Sequence, residues 1–196
     1  MTAFVVSLAV IFVAELGDKS QLMALTFATR FRALPVLAGI TAATALVHLL
    51  SVLLGAAVGA VLPTGPLSIL AGVAFFGFAA WTMRGDELTE DERRRAAGAS
   101  RSAILAVGGA FLLAELGDKT MLATVTLAAG NPGTVDLIGV WAGSTIGMVA
   151  ADALAIGAGR LLGARLPERA IKIGAAVAFA AFGVLLVIDG VRTITS

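Results

Sequence analysis

The sequence predicts an all-α membrane protein with six transmembrane helices forming two inverted three-helix repeats. Three observations lead there. Of the 196 residues, 59% are hydrophobic and 14% charged, with a mean hydropathy of +0.98, so lipid is the solvent for most of the surface. Six segments are apolar over the roughly 20 residues that a bilayer crossing takes at the helical rise. Finally, Ala14-Glu15-Leu16-Gly17-Asp18-Lys19-Ser20 recurs as Ala114-Glu115-Leu116-Gly117-Asp118-Lys119-Thr120.

In chain order the expected spans are Thr2 to Thr29, Ala33 to Leu62, Leu67 to Met83, Ser102 to Ala129, Thr134 to Gly159 and Glu168 to Ile188. Arg30 and Arg32, Pro63-Thr64-Gly65-Pro66, a charged linker, Asn131-Pro132-Gly133 and Arg165-Leu166-Pro167 punctuate them. The first span lacks a basic leader and a cleavage site and continues past residue 20, so it reads as a membrane helix and not as a removable signal peptide. Residues 1–84 form the first repeat, 85–101 a cytoplasmic linker that is acidic and then basic, and 102–196 the second repeat. The linker reads as a solvated connector, with a regulatory metal sensor as the other reading. Lys and Arg concentrate in the first, third and fifth loops and are missing from the second and fourth. The positive-inside rule then predicts a multi-pass protein of the plasma membrane with basic loops in the cytoplasm and both termini outside, Arg192 alone weakly opposing this.

The repeat extends beyond the motif. At the same spacing Thr26 matches Thr126, Leu37 matches Leu137, Gly39 matches Gly139 and Thr44 matches Ser144. Each half contributes an odd number of spans, so the second must enter the membrane opposite to the first, and a substrate site is expected where the halves meet near the midplane. Both motifs fall mid-span, where each charged residue costs about 2.5 to 3.5 kcal/mol on insertion scales. Such residues are functional unless they pair only to fix helix register. On an unbroken helix Glu15 and Asp18 lie about 60° apart, and Lys19 comes within ion-pairing reach of Glu15. Gly17 and Gly117 would let the motif helices approach closely or let the backbone distort toward the site. Ser20 and Thr120 supply hydroxyls for the site or for the helix backbone.

Charge counting gives these residues a chemistry. Glu15, Asp18, Glu115 and Asp118 set four negative charges against Lys19 and Lys119, a balance of −2 that one divalent cation or two protons would neutralise. Exchange of one for the other by alternating access is the expected mechanism. With no cysteine in the chain, the four carboxylates are the expected metal ligands, and they suit Mn2+, Ca2+ or Mg2+ better than zinc or copper. One histidine, no cysteine and no nucleophile arrangement argue against an enzyme, and no cofactor is expected. The sparse basic charge argues against nucleic acid as a partner.

At this motif the chain resembles the Golgi-type calcium/manganese:proton antiporter family, which is marked by two copies of Glu-x-Gly-Asp-Lys/Arg-Ser/Thr. Both copies are complete here, as Glu15 to Ser20 and Glu115 to Thr120. The resemblance covers the whole chain. It implies transport of Mn2+ or Ca2+ against protons, with manganese export common among bacterial members, and it implies that Glu15, Asp18, Glu115 and Asp118 bind the ion. An exporter of small organic cations or amino acids on the same helix plan is the alternative. The expected partners are the divalent ion, protons and the lipid bilayer, with a second copy of the chain as a further candidate.

Among the remaining polar residues, His48 lies mid-span, and four extra residues between Gly139 and Pro167 bring Asp152 into the matching register. Both are candidates to relay protons or line the ion path, and His48 also suits an interhelical hydrogen bond. Asp136 and Asp189 sit near span ends, where capping or interfacial water suffices. Gly139, Gly143 and Gly147, with Gly55 and Gly59, mark close helix crossings. Met23, Met121 and Met148 read as packing residues, with Met121 beside the second motif a candidate soft donor.

Overall fold

A computed structural model describes residues 1–84, 90–91, 94, 102–162 and 168–195. Most of the linker expected at 85–101 therefore lies outside the described residues. Those described form helices and turns, with no strand among them. In chain order the helices are α1 (Thr2–Glu15), α2 (Lys19–Arg30), α3 (Ala33–Val61), α4 (Thr64–Arg84), α5 (Ala103–Glu115), α6 (Lys119–Ala129), α7 (Thr134–Leu162) and α8 (Glu168–Thr195).

Four stretches are each long and apolar enough to cross a membrane: Ala33–Val61, Thr64–Arg84, Thr134–Gly159 and Arg169–Thr195. The other two expected spans are not single helices. Each breaks inside its motif, and the cause is local. Gly17 and Gly117 take φ of 75° and 84°, a left-handed conformation that glycine adopts without the steric cost a side chain brings. The backbone tightens around them, with Asp18 N–H donating to the Glu15 carbonyl at 3.1 Å and Asp118 N–H to the Glu115 carbonyl at 3.2 Å. Of the two roles expected for these glycines, distortion is the one seen at both. The one-face geometry expected for Glu15, Asp18 and Lys19 is corrected accordingly, because an acid and a lysine on opposite sides of a turn no longer share helical spacing.

Glycine also decides which helices touch. Gly139, Gly143 and Gly147 of α7 lie against the α1 backbone at Phe4 and Leu8, whereas Gly39 of α3 meets Ile104 and Val107 of α5. Gly55 and Gly59 receive the α6 backbone at Val125 and Ala129. Each broken helix thus packs on the long helix of the other half of the chain. A Cβ on these glycines would strike backbone, which cannot move aside as a side-chain tip can.

Helices α4 and α8 form a further pair, with Gly72 against Gly183 and Gly65 against Gly190. At its centre Phe75 stacks edge-on with Phe78 and Phe179, centroids 5.5 and 5.8 Å away, and lies 5.1 Å from Phe182. These aromatics join Ile11, Ala14, Ala123 and Leu127 in one apolar core. A second core gathers Met23, Phe27, Val36, Ile40, Val107 and Phe111. The outward positions are apolar too: Leu53, Leu70, Val177 and Leu185 are more than half exposed, as suits side chains that meet lipid.

Candidate ion-binding site

The two turns meet in the interior. Glu15, Asp18, Glu115 and Asp118 are all buried, and so are Ser20, Thr120 and Lys119. Glu15, Asp18 and Glu115 each present a carboxylate oxygen within 4.8 Å of the others. Helix breaks make this possible. Glu15 and Glu115 end one helix while Asp18 and Asp118 begin the next, so each acid approaches from a chain end instead of along a continuous helix face.

The lysines cross over. Lys119 of the second motif donates to Asp18 of the first, and Lys19 lies 4.0 Å from Asp118. Helical spacing predicts pairing between Lys19 and Glu15; the lysines instead tie the two motif copies to each other.

Hydroxyls support the acids directly. Ser20 donates its hydroxyl to Asp18 at 3.2 Å, with its backbone N–H at 3.5 Å, and Thr120 donates to Glu115 at 2.9 Å. Among the described residues, neither Glu15 oxygen has a hydrogen-bond donor, nor does Oε1 of Glu115. Buried carboxylate oxygens in an apolar surround are costly without a partner, and a cation supplies one. Oxygens up to 4.8 Å apart fit around a hard cation whose ligands lie about 2.1 to 2.6 Å away.

Each turn is latched by the residue after its hydroxyl. Gly17 N–H donates to Oε1 of Gln21 at 2.8 Å, and Gly117 N–H to Sδ of Met121 at 3.1 Å. Gln21 also donates to the Ala151 carbonyl of α7 at 3.0 Å. The sequence reading passed over Gln21, although an amide one position past the motif in an apolar span was a visible signal. Met121 has a backbone role, while Met23 and Met148 are fully buried in the apolar cores.

The turns differ in their surroundings. A Cβ on Gly17 would lie 3.2 Å from Ile171 of α8, whereas one on Gly117 would meet nothing within 4 Å. Neither glycine marks the approach of one motif helix to the other, since the neighbour at Gly17 belongs to α8. Leu116 is 46% exposed beside Gly117.

Of the remaining candidates, His48 is buried and shares a hydrogen bond with Thr145 at 3.2 Å. Asp152 is fully buried on α7, within electrostatic reach of Asp18, Glu15 and Glu115. Thr26, Thr126 and Thr44 donate back to carbonyls in their own helices, while Ser144 accepts from Thr124 at 3.3 Å. Asp189 accepts from Ser68, and Asp136 lies in the first turn of α7.

A lipid-facing helical shell around a buried, lysine-balanced carboxylate cluster defines an integral membrane protein that handles cations. The chain belongs to the family described as "Divalent cation/proton antiporter GDT1", whose profile matches residues 3–90 and 103–194. It is a secondary transporter and not an enzyme, and the divalent cation is its substrate. Among its relatives, a Vibrio cholerae protein named "Putative manganese exporter" is 33% identical over 88% of this chain and 84% of its own length. The "GDT1-like protein sll0615" of Synechocystis is 29% identical over 94% of this chain and 96% of its own, and the Arabidopsis thaliana "Protein PAM71, chloroplastic" 28% identical over 96% and 57%. No solved structure matches the chain.

Proposed function

We propose that this antiporter exports Mn2+ from the cytoplasm across the plasma membrane in exchange for protons, with Ca2+ as the second ion it accepts. The observation that carries the reading is the meeting of Glu15, Asp18 and Glu115 oxygens within 4.8 Å in the protein interior. Asp118 completes the ligand set, and Lys19, Lys119, Ser20 and Thr120 hold the acids in place. Oxygens so close together favour a bare metal ion over an organic cation. The Vibrio cholerae relative named "Putative manganese exporter" supports the choice of ion.

In this reading residues 1–84 and 102–196 are inverted three-helix repeats, with α1–α2 and α5–α6 each completing one crossing as a broken helix. Both termini face outward and the basic loops face the cytoplasm. Four acids against two lysines leave −2, so one Mn2+ or two protons bring the site to neutrality, and the two loads alternate. The chemistry is electrostatic throughout: a dry site tolerates either neutral state and penalises the empty, charged one.

Cells lacking the protein and challenged with Mn2+ provide the test. The wild type should restore growth and lower cellular manganese, while Glu15→Gln with Glu115→Gln should not. Equal rescue by both would sink the assignment, and rescue from Ca2+ alone would change the ion.

A further inference from the structure

We propose that Asp152 is an ion-contacting residue, met by the divalent cation on its path beside Asp18 of the first motif. The inference rests on the proposed function and adds to it a ligand from a third helix, outside both motif copies.

Asp152 has no exposed surface, and among the described residues neither of its carboxylate oxygens finds a hydrogen-bond partner. A carboxylate that served only to fix helix register in an apolar interior would be bonded, as polar groups there generally are. Its neighbours show the contrast. His48, at the repeat-related position on α3, is tied to Thr145; Gln21 is bonded at both ends of its amide; Thr124 bonds the Thr120 carbonyl and Ser144. Ser7 and Thr82 have unbonded hydroxyls, but these are neutral groups, far cheaper to bury than an acid.

Position supplies the second step. Gln21 straps the first motif's turn to α7 by bonding the carbonyl of Ala151, the residue just before Asp152. That strap keeps the Asp152 segment beside the turn that carries Asp18. Asp152 stands outside the closest set of oxygens, those of Glu15, Asp18 and Glu115, but within electrostatic range of all three. Like charges crowd together in a dry interior only where protons or a cation neutralise them. Lys119 is engaged with Asp18, so the exchanging load, protons in one state and the metal in the other, is the partner left for Asp152.

The repeat then explains why only one acid is added. His48 and Asp152 occupy matching places on α3 and α7, yet one is an imidazole tied to Thr145 and the other a carboxylate with unbonded oxygens. The added ligand therefore belongs to the α7 side of the site. Because it takes the balance from −2 to −3, the metal-loaded site keeps one proton while the exchange remains one Mn2+ for two protons.

The full chain in proteoliposomes, with Mn2+ flux measured over a concentration series, tests this. Asp152→Asn keeps the shape and removes the charge; it should raise KM for Mn2+ by about 10–100-fold, the usual loss when a residue supporting a metal site is removed. Asp152→Glu should lie between the two. If Asp152→Asn keeps the wild-type KM, whatever its maximal rate, the inference fails. Should that variant carry no flux, Mn2+ binding to the purified protein by electron paramagnetic resonance decides: a weakened Kd upholds the proposal and an unchanged Kd overturns it. A wild type that neither binds nor moves Mn2+ would instead overturn the proposed function.

Discussion

Lys119 bonds Asp18 across 101 residues of sequence, so the lysine of one motif copy serves the acid of the other. Both side chains are almost wholly buried, at 3% and 0% exposure. The pairing explains how so much charge survives in an apolar interior, since each half brings the counter-ion that the other requires.

Breaking that pair should cost more than removing it whole. Lys119→Met leaves Asp18 buried without its ammonium, a loss of about 3–5 kcal/mol for a pair of this kind. Adding Asp18→Asn should return much of the stability while transport stays lost, because the ligand has gone. Thermal unfolding in detergent, measured beside Mn2+ flux, checks both; a double variant no more stable than the single would contradict the pairing.

The broken helices make a second prediction. Alanine at either turn glycine must hold a left-handed φ, at about 1–2 kcal/mol. At Gly17 the new methyl also presses on Ile171 at 3.2 Å, while at Gly117 it meets open space. Gly17→Ala should therefore lower the melting temperature more than Gly117→Ala. The reverse order would mean that the two turns are packed differently from the structure described.

Much of this was legible in the sequence, and the parts that were not share one cause. Spans α3, α4, α7 and α8 follow from hydropathy, and the crossing faces follow from Gly139, Gly143, Gly147, Gly55 and Gly59, because both signals are local and periodic. The convergence of Glu15, Asp18 and Glu115 was legible because a duplication places like beside like. The breaks at Gly17 and Gly117 were not, since hydropathy runs unchanged through Leu16 and Leu116, and a glycine's φ is set by what its turn must satisfy. The crossed lysines were hidden for the same reason: helical spacing assigns Lys19 to Glu15 only if the helix continues. Gln21 shows its part only once the Gly17 N–H is freed by the turn.

Exposure at the second turn predicts reactivity. Irregular backbone at membrane depth is tolerated beside protein or water, and a Cβ on Gly117 would meet no atom of the described residues within 4 Å. Water is the expected neighbour of this turn. The chain has no cysteine, so a single introduced thiol reports cleanly. Leu116→Cys should react with a water-soluble maleimide faster than Leu16→Cys, whose turn is covered by Ile171. Equal, slow labelling at both would show that lipid or a second subunit covers the Leu116 face.

Acidity should act on affinity with a definite sign. If Mn2+ and two protons occupy the same carboxylates, lowering the pH on the Mn2+-loading side puts protons on the site and removes the charge that holds the metal. Apparent KM for Mn2+ must then rise as pH falls on that side. Maximal rate should change less, because saturating Mn2+ displaces the protons. Lowering the pH on the opposite side alone should accelerate exchange, since protons there empty the site and carry the return step. Flux measured in proteoliposomes with the two sides buffered separately distinguishes these effects. A KM that ignores pH on the loading side would mean that protons and metal use separate groups, and the shared-site mechanism would have to be abandoned.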